Sequence, residues 1–225
     1  MGMNKSSKKS PAGIKCVIVG DGGVGKTSLL MSYTSGGIMM DYIPTCFDCY
    51  TVDMKLQDKG YTMTLIDTAG QETYDRLRTL SYYDTDVFVV CFSVADHNSF
   101  ENVKSKWFQE LKQYRPNTPY ILVATQTDKR ETKADDKEHV HTSSNDRKTL
   151  PTECVSYSKG KAAAKKLGAK QYLECSALKC EGVADVFTSA LQTVVSPKKK
   201  RKSVLKLCMS AFRSKKLNKD RSVEE

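Results

Sequence analysis

The chain has 225 residues and a formal net charge of +10; that length buries one substantial core, so a single domain with tails is expected. No apolar run is long enough to cross a bilayer and no secretory h-region opens the sequence, while eight scattered cysteines, several inside apolar runs, read as small buried thiols rather than a disulfide framework or zinc site. The charge sits at the ends: residues 1–11 hold three lysines, residues 196–225 hold eleven basic and three acidic residues, and the rest is 22 basic against 23 acidic. A neutral middle argues against nucleic-acid binding by the domain.

Taken in order, residues 1–12 form a basic tail. The apolar run Ile14-Lys15-Cys16-Val17-Ile18-Val19 predicts a buried strand. It runs into Gly20-Asp21-Gly22-Gly23-Val24-Gly25-Lys26-Thr27, which fits G-x-x-x-x-G-K-[ST]. In such a loop small residues let successive N–H groups point at a phosphate, the lysine reaches the outer phosphates and the threonine hydroxyl ligates Mg²⁺. Ser28-Leu29-Leu30-Met31 reads as the opening of a helix, whose N-terminus adds its positive dipole end.

Further strands are expected over 50–56, 62–66, 87–93, 120–125 and 171–175, and helices over 99–114, 156–167 and 183–194. Alternating β and α predicts an α/β fold with a mostly parallel sheet of six strands covered by helices on both faces. Gln57-Asp58-Lys59-Gly60 reads as a hairpin turn, making one edge strand antiparallel. Residues 129–150 are polar almost throughout and cannot bury a face, so they read as an exposed insert. His139 and His141 within it lack a third ligand nearby and are read as solvated.

Three more signals follow strands. In Asp67-Thr68-Ala69-Gly70-Gln71-Glu72 the acid can hold Mg²⁺ opposite Thr27, Gly70 can bring its N–H to a γ-phosphate, and Gln71 can orient the attacking water. In Thr125-Gln126-Thr127-Asp128 the carboxylate of Asp128 can accept from N1–H and the 2-amino group of guanine. Cys175-Ser176-Ala177-Leu178 closes the set. Ligands of open α/β sheets bind at the carboxyl ends of strands, where all four signals fall.

The ordered set resembles a small GTPase of the Ras superfamily, a P-loop NTPase. Tyr42-Ile43-Pro44-Thr45-Cys46-Phe47-Asp48, Asp75-Arg76-Leu77-Arg78, Ser99-Phe100-Glu101-Asn102-Val103-Lys104-Ser105-Lys106-Trp107 and residues 174–178 are similar to the Rho family, and the resemblance covers residues 13–195. It implies a GTP/GDP switch with Mg²⁺, the metal held by Thr27, Thr45 and Asp67. Gly20, Gly22, Gly23, Val24, Gly25, Lys26, Thr27, Ser28, Ile38, Tyr42, Thr45, Gly70, Thr125, Gln126, Asp128, Ser176, Ala177 and Leu178 would line the nucleotide, with Gly22, Lys26 and Gln71 serving hydrolysis. Residues 42–50 would form switch I and the effector surface, and 70–78 switch II, which together also meet exchange factors and GAPs. No arginine is placed to act in cis, so slow turnover is expected, with a GAP arginine adding about 10³–10⁵-fold. Signalling to the actin cytoskeleton is what the resemblance implies.

The chain departs from the family pattern in several places. Ile38 stands where the family has phenylalanine over the guanine ring; losing that stack, worth about 0.5–1.5 kcal/mol, predicts faster exchange unless Met39 or Met40 covers the ring. Two accounts stay open: a GTP-hydrolysing switch, favoured by the retained Gly22 and Gln71, and a largely GTP-loaded effector scaffold. Gln126 replaces the usual lysine, and Cys46, Cys49 and Ile66 leave effectors and exchange factor open.

The end Arg221-Ser222-Val223-Glu224-Glu225 lacks the prenylation box most of the family carries. Met1-Gly2-Met3-Asn4-Lys5-Ser6 instead fits the myristoylation signal, beside Lys8 and Lys9. Residues 198–202 supply five consecutive basic residues for an anionic membrane surface, and Leu205, Cys208, Met209 and Phe212 share one helical face. Cys208 is either a palmitoylation site or a plain apolar cysteine, and residues 197–202 also fit a nuclear-import signal. The expectation is the cytoplasmic face of membranes and cytosol, with the nucleus as the alternative.

Overall fold

A computed structural model describes residues 12–36, 47–130 and 153–196. The chain divides into two compact units, Met1–Val195 and Ser196–Glu225, and the fold described here is that of the first. Its sheet has six strands in the order β2-β3-β1-β4-β5-β6: β1 (Ala12–Gly20), β2 (Phe47–Leu56), β3 (Lys59–Thr68), β4 (Val87–Ser93), β5 (Tyr120–Thr125) and β6 (Tyr172–Glu174). All neighbours pair in parallel except β2 with β3. The expected hairpin is there, and its loop is two residues long. Gln57 (φ 49°) and Asp58 (φ 61°) lie between the paired Leu56 and Lys59, the positive φ at both loop residues that a type I′ turn needs to match strand twist.

Period-2 alternation puts successive residues of the inner strands β1, β3, β4 and β5 into different cores. Cys16 and Ile18 join Leu29, Leu30, Met63, Leu65, Val89 and Phe187 on one face, beneath α1 (Lys26–Ser35) and α6 (Val183–Val195). Val17 and Val19 join Phe88, Val90, Phe92, Trp107 and Leu111 on the other. That second core lies beneath α3 (His97–Asn102), a π-helical turn (Val103–Trp107), α4 (Phe108–Tyr114) and α5 (Tyr157–Leu167). Burial on both faces explains why β4 is buried throughout and reads as an unbroken apolar run. Burial likewise pushes the Cys16 and Cys175 thiols up to about 12 and holds Cys91 well above its ordinary value, so these stay protonated core residues.

Two elements were not foreseen as elements: a 3-10 turn (Glu72–Tyr74) and α2 (Asp75–Leu80), both after β3. The expected helix over 99–114 exists but is broken in its middle by the π turn. The insert read over 129–150 falls mostly outside the described residues, but its base is visible. Arg130 grips Val155 O at 2.6 Å and both oxygens of Glu174 at 2.6 and 2.8 Å.

β1 is the point where the topology reverses, with β3 on one side and β4 on the other. Open α/β sheets bind ligands at such a switch point, and the glycine-rich loop leaves β1 there.

Gly160 inside α5 separates two opposing effects. Alanine in a helix interior is favoured over glycine by about 0.5–1 kcal/mol. A Cβ at 160, however, would stand 2.1 Å from Tyr172 Oη and 2.4 Å from Cζ, and Tyr172 is held by its 2.6 Å bond to Glu174 Oε1. Overpacking of this kind costs about 1–3 kcal/mol, so the clash outweighs the propensity. Gly160→Ala should lower, not raise, the thermal unfolding midpoint measured by circular dichroism.

Candidate nucleotide site

The loop between β1 and α1 is built by backbone freedom and by a lysine that ties it to itself. Gly23 (φ 74°) and Gly25 (φ 91°) take left-handed conformations. Leu29 N–H then closes the first turn of α1 on Gly25 O at 2.9 Å. Lys26 curls back over the loop, its Nζ donating to Gly20 O at 2.9 Å and Asp21 O at 2.8 Å, and the residue is 6% exposed. Burial pushes its ammonium pKa down, against the Asp67 carboxylate, which holds it up. A buried cation with its head at the mouth of a ring of amides is arranged to receive an anion.

The segment after β3 presses against this loop. A Cβ on Gly70 would lie 2.3 Å from Gly20 O, 2.4 Å from the Asp21 carbonyl carbon and 2.5 Å from Gly22 N, so only a glycine allows this approach. Gly22 and Gln71 are brought together, a Cβ at 22 standing 3.8 Å from Gln71 Cγ. Thr27 Oγ1 donates to Asp67 Oδ2 at 2.6 Å. This hydroxyl and this carboxylate are hard oxygen donors side by side at the phosphate end of the loop, a set that fits Mg²⁺.

The base end is a pocket of about 200 Å³ between the loop and the ends of β5 and β6. Gly25, Ser28, Gln126, Asp128, Ala177 and Leu178 are among its walls. Thr125 Oγ1 donates to Val24 O at 2.5 Å. Gln126, held at φ 58°, donates from Nε2 to Gly23 O at 3.0 Å and accepts from Ser93 Oγ at 2.6 Å and Lys129 Nζ at 2.9 Å. The hydroxyl of the fully buried Ser176 donates to Asp128 Oδ1 at 2.5 Å and accepts from Lys179 N–H at 3.1 Å. Asp128 is thereby aimed into the pocket.

Of the residues expected at the site, Gly20, Gly22 to Ser28, Asp67, Gly70, Gln71, Thr125, Gln126, Asp128 and Ser176 to Leu178 lie in this loop and the start of α1, at the end of β3 and just after it, and at and beyond the ends of β5 and β6. Gly20 serves mainly by close packing, since a Cβ there would meet Cys91 O at 2.3 Å. Ile38, Tyr42 and Thr45 lie outside the described residues. So does Cys46, which stands in C-x-x-C spacing with the exposed Cys49. Among the described residues no group of three His, Cys, Asp or Glu side chains could hold a metal ion.

The structure adds residues that the sequence reading passed over. Asp21 Oδ1 accepts from Trp107 Nε1 at 2.6 Å and Oδ2 from Asn102 Nδ2 at 2.6 Å. Trp107 is fully buried, and the guanidinium of Arg78 lies 4.7 Å from its ring centroid. Arg78 is itself buried and donates to Ala69 O at 3.0 Å, to Glu110 at 3.0 and 2.8 Å and to Asp75 at 2.6 Å. Tyr82 Oη donates to the same Glu110. Burial works against the Arg78 charge, but these hydrogen bonds and carboxylates hold its pKa above the ordinary value. Lys106, over the indole at 5.0 Å, pairs with Glu72 at 2.6 Å. The π turn makes this possible by setting Asn102, Lys106, Trp107 and Glu110 toward the loop and the 70–78 segment together.

Trp107→Phe keeps the aromatic face and removes the N–H that Asp21 accepts. Leaving a part-buried charged acceptor short of a donor costs about 1–3 kcal/mol. Labelled GDP should therefore leave the variant about fivefold faster or more, the equivalent of about 1 kcal/mol felt at the loop. A lowered unfolding midpoint with unchanged release would make the bond a purely architectural tie.

Glu174 gives a pH prediction. Burial raises its pKa, yet the hydrogen bonds from Arg130 and Tyr172 outweigh that, and the carboxyl is held below its ordinary 4.5. A depressed folded pKa gives stability that is present above the unfolded value and lost as the pH falls through the folded one. Below about pH 4.5 the wild type should lose midpoint faster with acid than Glu174→Gln, which starts lower and stays flatter.

The sequence model of the Ras family matches residues 15–196, well over half of the chain. Members of that family bind GTP and GDP with Mg²⁺, hydrolyse GTP, and work as switches read by effectors, exchange factors and GAPs. With the six-stranded sheet, the phosphate loop at its switch point and this match in hand, the chain belongs to the Ras family of small GTPases.

Proposed function

We propose that the chain is a Rho-type GTPase switch that loads GTP, binds effectors in that state and hydrolyses the nucleotide slowly. The observation that carries the hydrolytic part is the convergence of Gly22, Gln71 and the Lys26 loop, with Gly70 packed against the loop backbone. Lys26 holds the outer phosphates, the loop amides orient them, and Gln71, exposed at the loop's edge, positions the attacking water. Thr27, Asp67 and Thr45 are the residues that would hold Mg²⁺, which when bound neutralises charge on the phosphate oxygens. Asp128, aimed by Ser176, accepts from guanine. Arg78 is committed to Glu110, Asp75 and Ala69, so it does not serve as a cis arginine, which supports slow turnover and a GAP-supplied finger.

The Rho-type assignment is supported by the stretches in residues 42–48, 75–78 and 99–107 and by the polar insert. Phe47, Leu77 and Leu80 are exposed, at 42, 45 and 74%. Apolar groups so placed beside the nucleotide site suit effector, exchange-factor and GAP contacts. Downstream signalling to actin rests on the Rho resemblance. No helix among the described residues is long and apolar enough to cross a membrane. Membrane association is assigned to Gly2 myristoylation together with the polybasic residues 198–202, the two signals that stable anchoring takes.

The test is single-turnover GTP hydrolysis and labelled GDP release on the full chain with Mg²⁺. Measurable hydrolysis is expected, abolished in Gln71→Leu without loss of nucleotide binding. Asp128→Asn should weaken GDP binding at least about tenfold, since hydrogen bonds to a charged group are worth about 1.5–3 kcal/mol. Fast release with no measurable turnover would favour the GTP-loaded scaffold, the reading to which Ile38 points.

A further inference from the structure

The exposed side of α5 carries charge that the nucleotide site does not use. Lys159, Lys161, Lys165, Lys166 and, in the turn that follows, Lys170 are all exposed, and residues 156–171 contain no Asp or Glu. Two of the five have aromatic neighbours: Lys159 lies over the Phe100 ring at 5.2 Å and Lys161 over Tyr157 at 5.3 Å. Lys165, Lys166 and Lys170 enter no ion pair among the described residues. A helix surface built for solubility alone mixes both signs and gains from opposite charges at i,i+4. Here Lys161 and Lys165 are a like-charged i,i+4 pair. The helix macrodipole accounts for cations in the last turn, but not for Lys161 or for Lys170 beyond the helix.

Their position in the fold is informative. The C-terminal end of α5 packs where the parallel strands begin: Tyr120 Oη at the start of β5 donates to Leu167 O at 2.5 Å, and Lys170 N–H to Tyr120 O at 2.8 Å. β1 starts at the same end, Asp86 N–H donating to Lys15 O at 2.9 Å just before β4. α6, entered from the carboxyl end of β6, runs back to this end and finishes at Val195. The phosphate loop follows Gly20 at the opposite end. The chain therefore leaves the domain in both directions at the end that carries the lysines. The sequence beyond each exit is basic: three lysines in residues 1–11, and eleven basic against three acidic residues in 196–225. The acids at this end are Asp86, engaged by the Lys15 amide at 2.8 Å, Asp84, and Asp53 and Asp58 of the β2–β3 hairpin, which lies at the opposite edge of the sheet from β6 and carries Lys55 and Lys59 as well.

We propose that this end of the domain is a lipid-facing surface. Lys165, Lys166 and Lys170 dock on an anionic leaflet and hold the domain with its phosphate loop facing away from the bilayer. The proposal rests on the membrane reading above and assigns the domain, not just its tails, a part in it. One basic residue near an anionic leaflet is worth about fivefold in partitioning, so three set an upper bound of about a hundredfold.

The experiment is co-sedimentation of the full chain with phosphatidylcholine vesicles, with and without phosphatidylserine, at low and high salt. Wild type should partition onto the anionic vesicles and come off with salt. K165Q/K166Q/K170Q should bind at least about tenfold more weakly, while the Lys→Arg triple variant should match wild type. Unchanged GDP release in both variants would show that the fold is intact. If wild type and the Gln variant bind equally, the tails carry the membrane contact alone and the docking surface is overturned. If wild type binds no vesicle, the membrane reading itself fails and the proposal with it; the lysines would then face an acidic protein. Loss of binding in both triple variants also overturns it, because charge would not be what matters.

Discussion

The indole of Trp107 is where three segments of the nucleotide site are tied to one another. Its N–H is given to Asp21 of the phosphate loop, and its face lies against Arg78. Lys106, its neighbour in sequence, lies over its ring and holds Glu72. Arg78 in turn holds the carbonyl of Ala69, directly before the Gly70 that packs on the loop. The loop and the segment that follows β3 are thus each fixed to one helical turn, and through it to one another. A site that must register a single phosphate needs such a shared reference, since a displacement of either segment is then felt by the other.

Energetically the cluster is uneven. A buried ion pair such as Arg78–Glu110 contributes little net stability compared with apolar residues of the same volume, because two charges had to leave water. Removing one partner is another matter, costing about 3–5 kcal/mol through the charge left behind. Arg78 is satisfied on several sides, by Glu110, Asp75 and Ala69 O, and shielded by the indole. Such an arrangement specifies a geometry more than it adds to stability. The donors of this arginine are spent on holding the segment in shape.

Much of this fold is legible in the sequence because its signals are local. A strand, a glycine-rich loop and a helix opening lie within residues 14–31, and the two-residue loop Gln57-Asp58 sits between alternating strands. Lys26, Asp67, Gly70 and Asp128 could be named because phosphate, metal and base each demand a particular residue type at a strand end. What escaped depends on distance in space. Asp21 occupies a variable position of the loop motif, and nothing local ties it to Trp107, 86 residues later. Arg76 and Arg78 look equivalent in sequence, yet Arg78 is 1% exposed and Arg76 faces solvent, a choice made by Glu110. The π turn is silent because its apolar residues Val103 and Trp107, with Leu111 of α4, keep an ordinary helical spacing. α2 is six residues long, too short for periodicity to reveal, and it forms on tertiary contacts.

Gln126 shows how a departure from the family pattern carries its own compensation. A lysine at this place could reach Gly23 O but could accept nothing, being a donor alone. The glutamine amide donates to Gly23 O and accepts from Ser93 and Lys129 with its oxygen. Its substitution therefore draws the ends of β4 and β5 and the turn after β5 onto the phosphate loop through one planar group. The left-handed backbone at φ 58° that presents it costs of order 1 kcal/mol, which three hydrogen bonds at about 0.5–1.5 kcal/mol each outweigh. None of these bonds involves Asp128, whose carboxylate is held separately by Ser176, so the wall of the pocket can be rebuilt around a neutral amide while that carboxylate keeps its own support.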